Sequence, residues 1–357
     1  MAALLAAQLG LILAAVVSLA LGVAGGLGRL GMLAGPVPAA GLHGPIMICG
    51  FFGTLISLER AVASGAWPAL LIPSLSATGA VLLIAGQDEA GAVAFLLAAL
   101  GLTVLTAASA VRLPAMFTAV MTLGAALWAW GSWQWLAGSS VTEVSYVWLG
   151  FLILTIAAER LELSRLARPG AVAHAVLALF LAGFVLALAL GQPWTGASAM
   201  LSGSLAAIAA WLLRYDIALR TIRGQGTARF AAACLLAGYA WLVAAACCLL
   251  LLPPATTVFG HDAAVHAIGT GFVLSMVFAH APVILPAVTG APVRYVPALY
   301  APAALLQCAV ALRLAADLAL APAWRQGAAI LTVTSILLYA GLLLATSFIR
   351  PRVRNPA

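Results

Sequence analysis

Gly150-Phe151-Leu152-Ile153-Leu154-Thr155-Ile156-Ala157-Ala158-Glu159-Arg160 closes an apolar run that begins near residue 141. No residue from 144 to 158 is charged, so a helix here has no face suited to water, and its length approaches the roughly 20 residues of a membrane span. The same ending stands one hundred positions earlier, in Gly50-Phe51-Phe52-Gly53-Thr54-Leu55-Ile56-Ser57-Leu58-Glu59-Arg60. A third pair, Gly271-Phe272, is followed by His280 at the position that Glu59 and Glu159 occupy.

Outward from these stretches, apolar segments of spanning length recur at about residues 3–24, 38–58, 67–86, 90–110, 113–137, 141–158, 171–190, 194–213, 229–252, 261–286, 295–318 and 325–349. The three related endings fall on spans 2, 6 and 10. The sequence therefore predicts an all-α integral membrane protein of twelve transmembrane helices, forming one polytopic domain over 1–357. Three four-helix units, roughly 1–110, 111–213 and 214–349, would sit in a pseudo-threefold arrangement, since direct repeats of even span number keep one orientation.

Composition agrees. Of 357 residues 65% are hydrophobic and 7% charged, against roughly 25% charged in soluble domains. Mean hydropathy is +1.16. Soluble enzymes, disordered chains and disulfide scaffolds are excluded, and the short loops leave no solvent-facing basic stripe for nucleic acid. Cys49, Cys234, Cys247, Cys248 and Cys308 lie in apolar runs without Cys-x-x-Cys spacing and read as core thiols. The run from Leu4 to Val23 lacks a basic leader and exceeds the roughly 7 to 15 residues of a signal core, so it reads as the first span.

All 16 basic residues are arginine. Thirteen follow even-numbered spans, while Arg29, Arg313 and Arg325 lie toward the other side with Asp88, Glu89, Glu143, Asp262 and Asp317. This bias predicts cytoplasmic termini in a bacterial inner membrane. Trp128, Trp130, Trp133 and Trp135 are expected to form an interfacial belt at the outer end of span 5.

Ionisable and metal-binding side chains inside spans mark candidate sites, because hydrocarbon gives them no partner. His43 and His266 lie at similar depth on corresponding helices near the outer face. Two imidazoles facing each other across a bundle can hold a haem iron. Gly41, Gly44, Gly50, Gly269 and Gly271 would let a flat macrocycle approach. His261 precedes His266 by five residues, about 140° around the helix, and would face a second site or the outer water. Glu143 aligns with His43 and, with Tyr146, is expected to line the outer cavity. His280, Glu59 and Glu159 form a candidate inner site, whose bland interpretation is salt bridging and whose sharper one is a proton entrance. His174 reads as structural.

The stretches His43-Gly44-Pro45-Ile46-Met47-Ile48-Cys49-Gly50-Phe51 and His266-Ala267-Ile268-Gly269-Thr270-Gly271, with twelve spans in groups of four, resemble the NnrS family, which is similar in architecture to the haem-copper oxidase catalytic subunit. The resemblance implies a haem, of b type, held by His43 and one of His261 or His266. It also implies a link to nitric oxide response or denitrification, with nitric oxide as the small gas ligand. Span 6 lacks histidine and span 7 has only His174, so oxygen reduction at a haem-copper centre is not implied, and copper is left open. Whether the chain is a haem-dependent oxidoreductase, served by a quinol or a cytochrome, also stays open. Two alternatives remain: a quinol-linked two-haem carrier using His280, and a transporter without cofactor.

Overall fold

The computed structural model describes residues 2–34, 40–191, 195–290 and 293–347. Among them the chain forms helices joined by turns, with no strand. In order these are α1 (Ala2–Arg29), α2 (His43–Ser64), α3 (Trp67–Ile84), α4 (Asp88–Arg112), α5 (Met116–Leu136), α6 (Val141–Ala167), α7 (Ala171–Leu190), α8 (Thr195–Tyr215), α9 (Gly226–Leu251), α10 (Gly260–Thr289), α11 (Pro297–Leu318) and α12 (Pro322–Ser347), with a short turn of helix at Ala218–Thr221. Eleven of them are long and apolar enough to cross a membrane, and the protein is a multi-pass helical membrane protein. The exception is α5, whose four tryptophans and Gln134 lower its hydropathy. Arg350, Arg352 and Arg354, which enter the charge count, lie outside the described residues.

Helix ends follow local chemistry. Gly65 takes the left-handed conformation (φ +67°) and closes α2 by donating its N–H to the Val62 carbonyl at 3.1 Å. Ser140 and Glu143 form a reciprocal cap at the start of α6.

The helices carrying the Gly-Phe pairs meet at the centre, where α2 touches α6, α6 touches α10 and α2 touches α10. Of the most apolar window in each helix, 83% is buried in α6 but only 11% in α1 and 22% in α12, so α6 is the axis and the terminal helices the periphery. The glycines explain the repeat as helix packing. A Cβ on Gly150 would stand 2.9 Å from both Leu127 and Leu188, one on Gly271 2.6 Å from the Trp241 ring, and one on Gly50 3.1 Å from Ala80. Small residues here let neighbouring helices approach closely, which is the main attraction available where lipid is as apolar as leucine. Gly50 and Gly271 therefore seat helices and do not flank a ligand, contrary to the expectation from sequence.

Two of the three central helices depart from α geometry. Ile46–Phe52 in α2 and Ala267–Val273 in α10 are π-helical, each beginning within three residues of a histidine and enclosing the Gly-Phe pair. In α6 the pair lies in regular α-helix. A widened turn loosens the backbone ladder, and Ser76 compensates by donating its hydroxyl to the Cys49 carbonyl at 2.7 Å.

Only part of the tryptophan run faces outward. Trp128 is fully buried and stacks on Phe151 at 5.0 Å, Trp135 packs edge-on against Trp148, and Trp133 is the exposed member. α5 thus uses its indoles to pack against α6, with which it shares a long interface. Of the five free thiols, Cys49, Cys234 and Cys248 are buried, while Cys247 and Cys308 face outward.

Candidate functional site

α1, α2, α6, α10, α11 and α12 enclose a cavity of about 780 Å³ at the His43 end of the bundle. That is within the roughly 300–1,000 Å³ of small-molecule and cofactor sites. Its walls are mostly apolar and carry His43, His261 and His266.

The two central histidines come together as the sequence predicts. Their ring centroids are 6.4 Å apart and their planes 12° from parallel. His43 Nδ1 donates to the Gly22 carbonyl at 2.7 Å, and His266 Nδ1 donates to the Asp262 carbonyl at 2.8 Å. A carbonyl can only accept, so each ring carries its hydrogen on Nδ1 and keeps a lone pair on Nε2. Among the described residues no protein hydrogen bond occupies either Nε2. Binding one ring nitrogen to a backbone carbonyl while the other stays available is the usual arrangement of a metal-ligating histidine.

The residues around the pair suit a flat group. Gly41, Gly44 and Gly269 line the cavity, and a Cβ on Gly269 would meet only Leu149 at 4.0 Å. Gly26 supports the pair from behind, since a Cβ there would lie 3.0 Å from the His43 ring.

Other predicted residues are placed differently. Glu143 is exposed and spent on its helix cap, where Oε2 accepts from the Ser140 amide and hydroxyl at 2.7 Å each, and it does not line the cavity. Tyr146 lies behind the wall, 2% exposed, with its ring edge-on to His261 at 5.1 Å. Its hydroxyl has no protein partner among the described residues. His261 does line the cavity.

At the far end, Arg60 pairs with Glu59 and reaches Glu159 at 3.4 Å. His280 lies at the same end, close enough to Glu59 to interact with it electrostatically; its Nδ1 donates to the Met276 carbonyl at 2.6 Å and its Nε2 accepts from Arg160, the neighbour of Glu159 in sequence, at 2.7 Å. Both of its nitrogens are engaged. His174 is half-buried at the start of α7.

Arg29, Arg313 and Arg325, the three arginines that run against the charge bias, all line the cavity. Arg313 and Arg325 both pair with Asp262. Both also reach the buried Asp317, at 3.2 Å and 2.8 Å. Arg325 lies over the Phe259 ring at 4.0 Å. Sequence reasoning missed this rim and the contribution of α1. The Gly22-x-x-x-Gly26 spacing and the three misplaced arginines were the signals that pointed there.

Among the described residues, no group of three or more His, Cys, Asp or Glu side chains is arranged to hold a metal ion, so the donor set on offer is the histidine pair. A family model described as a domain of unknown function, DUF8744, matches residues 8–348, and the chain belongs to that family. No curated protein and no solved structure matches the chain.

Proposed function

We propose that this member of the DUF8744 family is a haem-binding electron carrier of the inner membrane, with His43 and His266 as the iron ligands. The observation that carries the proposal is the histidine pair itself, two near-parallel rings with Nδ1 tied to backbone and Nε2 available, on a cavity of about 780 Å³. The Nδ1 bonds fix each ring's rotation and make Nε2 a better donor. The walls are mostly apolar, and Gly41 and Gly269, where an added Cβ would meet nothing closer than 4.0 Å, leave room for a planar group to approach the helices. When bound, such a haem supplies one-electron transfer between a quinol or cytochrome partner and an acceptor, or binds nitric oxide where one histidine yields its place. The two-haem alternative lacks a ligand, because His280 has both nitrogens engaged.

The surrounding architecture belongs to the same proposal. Twelve spans in three four-helix units are supported by the uncharged 21-residue α5 and by the mutual contact of α2, α6 and α10, each with a packing glycine. With the arginine bias placing both termini in the cytoplasm, the histidine cavity opens toward the outer face.

The test is an optical spectrum of detergent-purified protein from haem-replete cells, oxidised and dithionite-reduced, with haem counted per chain. One b-type haem per chain is the expected result, and a colourless protein overturns the proposal. Gly26→Val adds a check on geometry. The valine Cβ would stand 3.0 Å from the His43 ring with two methyl groups beyond it, which forces the ring off its position, so haem per chain drops severalfold while helix content by circular dichroism holds.

A further inference from the structure

We infer that Asp262 sets the reduction potential at the histidine pair, acting through His266; this rests on the haem proposal above. Asp262 meets the same imidazole in two ways. Its backbone carbonyl accepts from His266 Nδ1 at 2.8 Å, and its carboxylate Oδ1 lies 3.5 Å from that nitrogen. The second carboxylate oxygen is held by Arg313 from α11 and Arg325 from α12. Those arginines are braced in turn by Asp317, whose side chain has no exposure.

Two acids and two guanidiniums therefore form a closed, charge-balanced cluster beside one ligand. The side chains of Asp262, Arg313 and Arg325 are only 21%, 11% and 15% exposed, so water screens them weakly. The cluster also carries structural weight, because it ties three helices together at the cavity rim. His43 meets the same charges only at longer range: its Nδ1 bonds the carbonyl of a glycine, and among the described residues no carboxylate lies within ion-pair distance of its ring. The two ligands are thus electronically unequal, and Asp262 is a positioning residue whose charge stabilises the more positive, oxidised state of whatever iron His266 holds.

The sign of the effect separates charge from structure. Asp262→Asn keeps the backbone carbonyl and the size of the side chain but removes one negative charge, which favours the ferrous form. Arg313→Gln removes a positive charge and favours the ferric form. Potentiometric titration of the haem-loaded, full-length protein is expected to show the ferric-to-ferrous ratio at fixed ambient potential falling about tenfold in Asp262→Asn, a rise of about 59 mV for one electron. Arg313→Gln is expected to move in the opposite direction, and Asp262→Glu to stay near wild type.

Unchanged potentials in both variants, or shifts of one sign in both, overturn the inference. If Asp262→Asn does not fold, a downward shift in Arg313→Gln supports it and no shift or an upward one overturns it. Wild-type protein without haem overturns the underlying proposal as well, whereas haem of normal stoichiometry with an unmoved potential overturns the role of Asp262 alone.

Discussion

His43→Ala and His266→Ala are each expected to lower haem per purified chain by about tenfold or more, the equivalent of at least 1.4 kcal/mol of binding. Each imidazole projects from its own central helix and has its own backbone acceptor, Gly22 for His43 and Asp262 for His266, so neither ring can turn to replace the other. The measurement is a pyridine haemochrome count beside the reduced-minus-oxidised spectrum. His280→Ala is the control and should keep full haem content, since that ring is bonded to Met276 and Arg160 at the other end of α10. If one of the two variants keeps its haem and gains a spectral response to carbon monoxide or nitric oxide, the retained histidine is the stronger ligand. Loss of haem in neither variant sinks the histidine pair as the site.

Asp317→Ala is expected to be the most destabilising single change at the cavity rim. Its carboxylate, with no side-chain exposure, faces Arg313 at 3.2 Å and Arg325 at 2.8 Å. Removing it leaves two guanidiniums on one remaining acid, Asp262, inside a low-dielectric wall. Breaking a buried ion pair from one side costs about 3–5 kcal/mol. Thermal unfolding in detergent, followed by circular dichroism, should show a midpoint several degrees below wild type. An unchanged midpoint would mean that water or lipid headgroups reach these arginines. The double change Asp317→Ala with Arg325→Leu should recover part of the loss, because it removes the orphaned charge together with its partner.

The helical class and nearly every helix were legible in the sequence, because in lipid each span must satisfy its own backbone and so announces itself as an unbroken apolar run. Helices α3, α7 and α9 lie within a few residues of their predicted bounds. α5 shows the limit of hydropathy: its indoles are packing residues, and a scale that scores tryptophan as slightly polar undervalues the helix that carries Trp128. At the site, His43, His261 and His266 could be found because histidine is scarce in such a chain. Glu143 was misplaced for the opposite reason, since alignment to a repeat gives depth along a helix but not the use of the side chain, and Ser140 three residues earlier claims it as a cap. The rim of Asp262, Arg313, Asp317 and Arg325 joins residues up to 63 positions apart in sequence and on three helices, and no local pattern announces a contact of that kind.

The π-helical turns after His43 and near His266 give these two helices a phase adjustment. Each residue added to or removed from a helix rotates everything on one side of it by about 100° relative to the other. In α2 part of such a turn lies between His43 and Gly50, which seats against Ser18 and Ala80, and in α10 part of one lies between His266 and Gly271, which seats against Trp241. α6, which presents no ligand, runs through its Gly-Phe pair without one. A single-residue deletion within Ile46–Phe52 would therefore leave the packing half of α2 in register and swing the imidazole away from its partner, so that the aim of the histidine can change in evolution independently of the bundle that carries it.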